Sequence, residues 1–274
     1  MDTATTAPAA GERHTAEFLR VKGLAERGVA SAQHSLGFMY VNGQGVPRNY
    51  ELAVAWYRMA AAAGLEQAQY NLGVMYQKGQ GVAQDDEQAL YWYGCAASQG
   101  YAPAQYNLGW LYAKGQGVAT DVHQALHWFR RAAEQGDAGA QHNLGMMYEG
   151  GKGIVQDQEQ ALDWYRRAAA QGYARSQFAL ALRYDSAHGA ERDYEAAHFW
   201  YLCAARQGHA RAQFNLGVMY ATGQGTGRDP VEAYGWLHRA AAGGIPAAAP
   251  YLKRIASRME PLQLAQAQVF TEGV

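Results

Sequence analysis

Ala32, Leu36, Met39 and Tyr40 stand at i, i+4, i+7 and i+8, the spacing that lines apolar side chains along one stripe of an α-helix. A second such stripe follows at Ala53, Trp56, Tyr57, Ala60 and Ala61. Both stripes return every 36 residues, and counting from Ala32 gives six units without insertion: 32–67, 68–103, 104–139, 140–175, 176–211 and 212–247. In each unit the second residue is Gln, the fifth Leu, the ninth Tyr, the twenty-second Ala and the twenty-fifth Trp, and residues 29 and 30 are Ala-Ala. A period of this length marks a repeat architecture whose units bury their apolar faces on one another. The pattern predicts two helices per unit. Helix A runs from about position 36 of the preceding unit to position 11, and helix B spans about positions 19–31. Small residues at positions 6, 22, 29 and 30 let the backbones approach, and Trp and Tyr fill the wedge between units. The Trp column is accordingly expected to be structural, with Trp128 and Trp164 as its central members.

Between the two helices lies a glycine-rich string, KGQGV at 78–82 and again at 114–118, with relatives at 42–46, 150–154, 186–190 and 222–226. A single string of this kind could cradle a phosphate, but six copies at a fixed phase read as turns that end helix A with left-handed backbone. Asn49, Asp85, Asp121, Asp157, Asp193 and Asp229 then stand as N-caps of helix B, with Gln88, Gln124, Gln160 and Glu232 three residues on, the spacing of a capping box.

AQYNLGVMYQKGQGVAQDDEQALYWYGCAASQG at 68–100 carries the whole pattern of small, Leu-Gly, Tyr, Gly-x-Gly-Val, Asp, Ala, Trp, Ala-Ala and Gly positions. In these residues the chain resembles the Sel1-like repeat family, relatives of the tetratricopeptide repeats, over residues 32–247. The resemblance implies an all-α, right-handed α/α superhelical solenoid of six helix-turn-helix repeats, acting as a protein-binding scaffold. Residues 15–31 align with a lone helix B and are expected to form an N-terminal capping helix. Residues 248–274 are expected to give capping helices at the other end. Residues 1–14, polar and small, read as a disordered leader without the basic start and apolar stretch of a secretory signal.

The 274 residues carry a net charge of −1 with no charge block, so nothing draws the chain to nucleic acid or an anionic membrane. No apolar run approaches the roughly 20 residues of a membrane span. Cys95 and Cys203 lie three periods apart, too far in a stacked array for a disulfide, and a reduced, cytoplasmic setting is expected, with the periplasm as the alternative for a chain whose leader has been removed. They share position 28 with Met59, Arg131, Arg167 and Arg239, so they read as tolerated variants, not nucleophiles. His123 and His127 have an i, i+4 spacing but no third ligand, and exposed polar residues are the plainer reading. The carboxylates with a regular phase are the caps. No catalytic residue, metal site or cofactor is expected, and the chain reads as a non-enzyme.

The expected function is a scaffold or adaptor that binds a peptide segment or a partner protein. Two alternatives come from the resemblance: an immunity or inhibitor protein that neutralises a secreted bacterial toxin, and an envelope-associated glycan-binding or hydrolytic protein. The oligomeric state is left open. The partner site is expected on the concave face lined by the A helices. At 100° per residue, positions 3, 4, 7, 10 and 11 fall opposite the core stripe. There stand His34, Phe38, Tyr70, Tyr106, Trp110, His142, Met146, Phe178 and Phe214, with a ladder of Asn71, Asn107, Asn143 and Asn215 free to bond the backbone of an extended ligand. Lys78 and Lys114 edge units two and three, whereas Glu149 and Asp185 follow in units four and five, so an acidic part of the ligand is expected toward units two and three. Unit five departs most from the pattern. Ala179 and Ala181 replace Asn and Gly, Arg183 replaces a core Met or Leu, with Asp185 or Asp193 as its expected ion-pair partner, and Ala187 and His188 break the loop.

Overall fold

The computed structural model describes residues 15–151, 153–186 and 192–272. The leader 1–14 and the loop substitutions Ala187 and His188 lie outside the described residues. Among the described residues there are fifteen helices and no strand. The chain divides into two compact units between Gln135 and Gly136. The first holds α1 (Ala16–Glu26), α2 (Ala30–Asn42), α3 (Tyr50–Ala62), α4 (Glu66–Lys78), α5 (Asp86–Ser98), α6 (Ala102–Lys114) and α7 (Val122–Glu134). The second holds α8 (Ala138–Gly150), α9 (Gln158–Ala170), α10 (Ala174–Ser186), α11 (Tyr194–Arg206), α12 (Ala210–Thr222), α13 (Pro230–Ala242), α14 (Ala248–Ala256) and α15 (Pro261–Glu272). The A helices are the even-numbered α2 to α12 and the B helices the odd-numbered α3 to α13. Within each unit the strongest packing joins the A and B helices of one repeat, and each B helix then packs on the next A helix in the chain.

Sequence dictates the ends of these helices. The six Asn and Asp caps all accept a backbone N–H in the first turn of helix B, as Asp85 does from Gln88 at 2.9 Å. The capping box is not closed, however. The cap's own N–H is already taken by the carbonyl of the repeated Tyr at position 9, with Asp85 N to Tyr76 O at 3.0 Å as the example. Gln160 therefore turns to the Asp157 carboxylate, at 2.9 Å.

Gly79 ends α4 in left-handed backbone, φ 64°, and Gly81 two residues on is left-handed again at φ 68°. The two glycines have different reasons. A Cβ on Gly79 would meet its nearest neighbour, Gln84 Cβ, at 3.2 Å, whereas a Cβ on Gly81 would run into the backbone of Tyr50 and Glu51 at the start of α3. The second glycine is where one repeat's loop lies against the preceding repeat, and no phosphate is needed to explain it.

The core departs from the sequence expectation at one column. The largest fully buried side chains are not the tryptophans but their neighbours at position 26, Tyr57, Tyr93, Tyr165 and Tyr201, with Phe129 and Leu237 in the other units also buried. Trp56, Trp92, Trp128, Trp164 and Trp200 are half-buried, and only Trp236 is buried. The physical reason is the position-6 glycine. A Cβ on Gly73 would lie 2.7 Å from the Tyr93 ring, so the missing side chain on helix A makes room for the position-26 ring of helix B. Tryptophan at position 25 is left at the margin, where Arg167 lies 4.6 Å above the Trp164 ring and Arg131 5.6 Å above Trp128.

The repeated Gln at position 2 is buried in every unit. Gln69 donates to the Ala61 carbonyl at 3.3 Å and accepts from Gln99 at 2.8 Å, and the same pair of bonds recurs for Gln105 and Gln177. Each amide thus joins helix A of its own repeat to both flanking B helices. A buried amide with both ends satisfied adds directional specificity to a stack otherwise held by apolar contact.

Candidate functional site

The face opposite the core stripe of the A helices carries the residues expected to bind a partner, and the structure sorts them into three kinds. The position-3 rings lean inward. Each packs on the position-26 ring of its own repeat, at centroid distances of 5.7 Å for His34–Tyr57 and Tyr70–Tyr93, 5.9 Å for Tyr106–Phe129, 5.5 Å for His142–Tyr165 and 6.0 Å for Phe178–Tyr201. Phe214 meets Tyr251 of α14 edge-on at 5.5 Å. His142 is buried, and its Nδ1 lies 2.9 Å from Ser176 Oγ; burial, with Arg175 nearby, lowers its pKa to about 4. These rings extend the core outward: His142 is buried and the other five are half-buried.

The asparagine ladder is the second kind. Asn71 Nδ2 lies 2.9 Å from His34 Nε2, and the half-buried Asn71, Asn107 and Asn215 stand beside the hydroxyls of Tyr57, Tyr93 and Tyr201 in the preceding repeat. Three of the position-26 hydroxyls are anchored on the A helix of their own repeat. Tyr93 donates to Gln77 at 2.8 Å, Tyr165 to Glu149 at 2.8 Å and Tyr201 to Asp185 at 3.1 Å. A buried hydroxyl demands a partner, and these acceptors supply it. Asn143 is half-buried.

The third kind is the position-7 column, where Phe38 is 47% exposed, Met146 53% and Leu182 38%, with Trp110 half-buried. Two grooves form around these side chains, one in each compact unit. In the first unit, Thr15, Glu17, Arg20, His34, Phe38 and Gln44 line a groove of about 740 Å³. In the second, His142, Met146, Glu149, Arg175, Phe178, Leu182, His209, Arg211 and Ile245 line one of about 680 Å³. Of the fifteen expected residues, the structure brings His34 and Phe38 to the first groove and His142, Met146 and Phe178 to the second. Lys78 and Lys114 are exposed on α4 and at the end of α6 and line neither groove.

Sequence reasoning missed Arg175, Arg211, Leu182 and His209 in the second groove. Arg175 and Arg211 are the second residues of α10 and α12 and His209 is the residue before α12, all N-terminal to the positions counted on that face, whereas Leu182 stands on it at position 7. Arg183, for which Asp185 or Asp193 was expected as partner, instead lies 4.0 Å from Glu149 of the preceding repeat. Residues two apart on a helix do not face each other, so Arg183 reaches α8 of the preceding repeat and not Asp185. Among the described residues no group of His, Cys, Asp or Glu is placed to hold a metal ion, and no helix is long and apolar enough to cross a membrane.

A model of the Sel1 repeat matches six consecutive segments of the chain, 30–65, 66–101, 102–137, 138–173, 174–209 and 210–245. The chain belongs to the Sel1-repeat family. Its matched segments begin two residues before each unit counted from Ala32 and keep the same 36-residue period. Sel1-repeat proteins generally mediate protein–protein interaction, and the scaffold is typically non-catalytic. Two solved structures are similar over most of the chain. One is the crystal structure of c5321, described as a protective antigen present in uropathogenic Escherichia coli strains and displaying an SLR fold. It is 34% identical, with a TM-score of 0.85, covering 94% of this chain and 56% of that one. The other is a Sel1 repeat protein from Oxalobacter formigenes, 34% identical with a TM-score of 0.71, covering 82% of this chain and 94% of that one. This Sel1-repeat chain thus spans little more than half the length of the Escherichia coli protein. Among curated proteins none matches it.

Proposed function

We propose that this Sel1-repeat protein is a non-enzymatic scaffold that binds a peptide segment or partner protein on the face of its A helices opposite the core stripe. The observation that supports the reading is the position-7 column. Phe38, Met146 and Leu182 are large apolar side chains left exposed on a repeat whose other apolar columns are packed, and each lines a groove. Tyr91, Phe199, Met59 and Leu52 on the B helices are exposed too but line neither groove, and apolar side chains gathered in a groove are a binding surface more often than scattered ones. Trp110 lies in the same column between them. Position 7 is free to vary without disturbing the buried Leu, Tyr and Gln columns, so recognition and folding are separated along each helix.

The test is capture from a lysate of the native organism with the tagged chain as bait, set against a Phe38→Ser, Met146→Ser, Leu182→Ser variant. The expected result is one or a few proteins retained by the native chain and lost by the triple variant, whose helical circular dichroism is unchanged. Retention of the same proteins by the variant would move the site to the B-helix face or the loops. A secreted toxin among the lost proteins would assign the immunity role.

A further inference from the structure

The groove of the second compact unit has a charge character that the rest of the A-helix face lacks. Arg175 and Arg211 occupy position 36 of units four and five, where the other units carry Gln67, Pro103, Gly139 and Ala247. Both are exposed, both line the groove, and among the described residues no carboxylate lies within 4.0 Å of either. The one acid in the groove, Glu149, is engaged by the Tyr165 hydroxyl at 2.8 Å and by Arg183 at 4.0 Å. The two guanidiniums therefore face the groove without an internal counter-charge.

Their location in the helices sharpens the point. Arg175 and Arg211 are the second residues of α10 and α12. A cation in the first turn opposes the helix dipole, which disfavours it there. Two adjacent repeats bear that cost in the same place without a partner to offset it. Breaking a local rule in this way is what a binding residue does, since its partner comes from outside. Between the arginines the floor is apolar and aromatic. Phe178 stacks on His209 at 4.5 Å, and Met146, Leu182 and Ile245 complete the lining. His209 Nδ1 accepts from the Ala212 N–H at 3.2 Å and so caps α12; burial first, and also the two arginines, lower its pKa.

Building on the reading of the A-helix face as a binding surface, we infer that this groove selects an acidic polypeptide segment. An apolar side chain of the ligand sits against Phe178, Met146 and Leu182, and Asp or Glu carboxylates beside it pair with Arg175 and Arg211. Arginine suits this role because its planar fork binds a carboxylate through two parallel N–H bonds. The assignment differs from the expectation drawn from Lys78 and Lys114: those lysines stand outside both grooves, the first groove lines Arg20 against Glu17, and the second has two arginines against one acid already engaged.

The experiment is selection of a random library of displayed 12-residue peptides on the immobilised full chain, run in parallel on Arg175→Gln, Arg211→Gln and on the charge-reversed Arg175→Glu, Arg211→Glu. Circular dichroism confirms that each variant is folded. The native chain is expected to enrich apolar peptides with Asp or Glu flanks, and the best of these, labelled and measured by anisotropy, to bind at least tenfold more weakly to the Gln variant. The charge-reversed variant is expected to enrich Lys and Arg flanks instead. Enrichment of apolar peptides with no acidic bias, or the same acidic bias on the Gln variant, would overturn this inference and leave the A-helix surface as a binding face. Enrichment of nothing by the native chain would overturn both. Binding to phosphatidylserine vesicles with no acidic peptide selected would assign the arginines to a lipid surface.

Discussion

At the residue scale, two neighbouring columns that look alike in the sequence have different energetics. Tyr165 is 2% exposed and hydrogen-bonded through its hydroxyl, whereas Trp164 is half-buried beneath Arg167. Tyr165→Ala should cost about 3–5 kcal/mol, as for other buried aromatics, and Trp164→Ala about half of that. Denaturant unfolding of the two variants checks the order; equal losses would restore the Trp to the core. His142 provides a second case. Its pKa is lowered from 6.5 to about 4 by burial among Ser176, Tyr165 and Tyr173 and by the charge of Arg175. A His held neutral in the fold contributes stability above its unfolded pKa, and that contribution is lost as pH falls toward the folded value. The native chain should therefore lose stability between about pH 6.5 and pH 4. His142→Phe, which installs the ring found at the same position in units five and six, should flatten that part of the profile by about 2–3 kcal/mol. Thermal melts across the range measure it.

At the element scale, the helix boundaries were legible because they are made by local chemistry. Helix B was expected over positions 19–31, and α3, α5, α7, α9, α11 and α13 occupy those positions, each opened by its Asn or Asp. Helix A begins one residue earlier than expected. The double glycine of the turn was legible as a turn, but the division of labour between its two glycines was not. Gly79→Ala and Gly81→Ala pay the same left-handed strain, about 1–2 kcal/mol, because their φ angles are 64° and 68°. Gly81→Ala should be the more destabilising of the two, since its Cβ meets the Tyr50 backbone, which cannot rotate away as a side chain can. Comparing the two midpoints in urea isolates the close approach between repeats.

At the scale of the whole molecule, stability is built from neighbour to neighbour. Within each compact unit a helix packs mainly on those next to it in the chain, and the Gln amides stitch A to B helices across each joint. Damage should therefore stay local. Replacing the buried Leu72 of α4 by Ala should raise amide exchange first in α3, α4 and α5, with α1 and α7 little changed. Hydrogen-exchange mass spectrometry reads this directly, and an even rise through the first unit would indicate one cooperative block.

The sequence by itself determined the repeat, its 36-residue period, the two helices, their caps and the glycine turns, since each of these rests on interactions within a few residues and on a pattern repeated six times. It also put Phe38, Met146 and the position-3 rings on the face opposite the core. What it did not settle was how far each side chain turns from that face, because this depends on contacts between elements. The tertiary structure drew the position-3 rings onto Tyr57, Tyr93, Phe129, Tyr165 and Tyr201, joined Asn71 to His34 and anchored the hydroxyls of Tyr93, Tyr165 and Tyr201 on Gln77, Glu149 and Asp185. It also brought Arg175 and Arg211, which are 36 residues apart in the chain, to one groove beside Phe178. A helical period assigns a residue to a face; only the packing of neighbouring helices decides whether that face is filled from within or left for a partner.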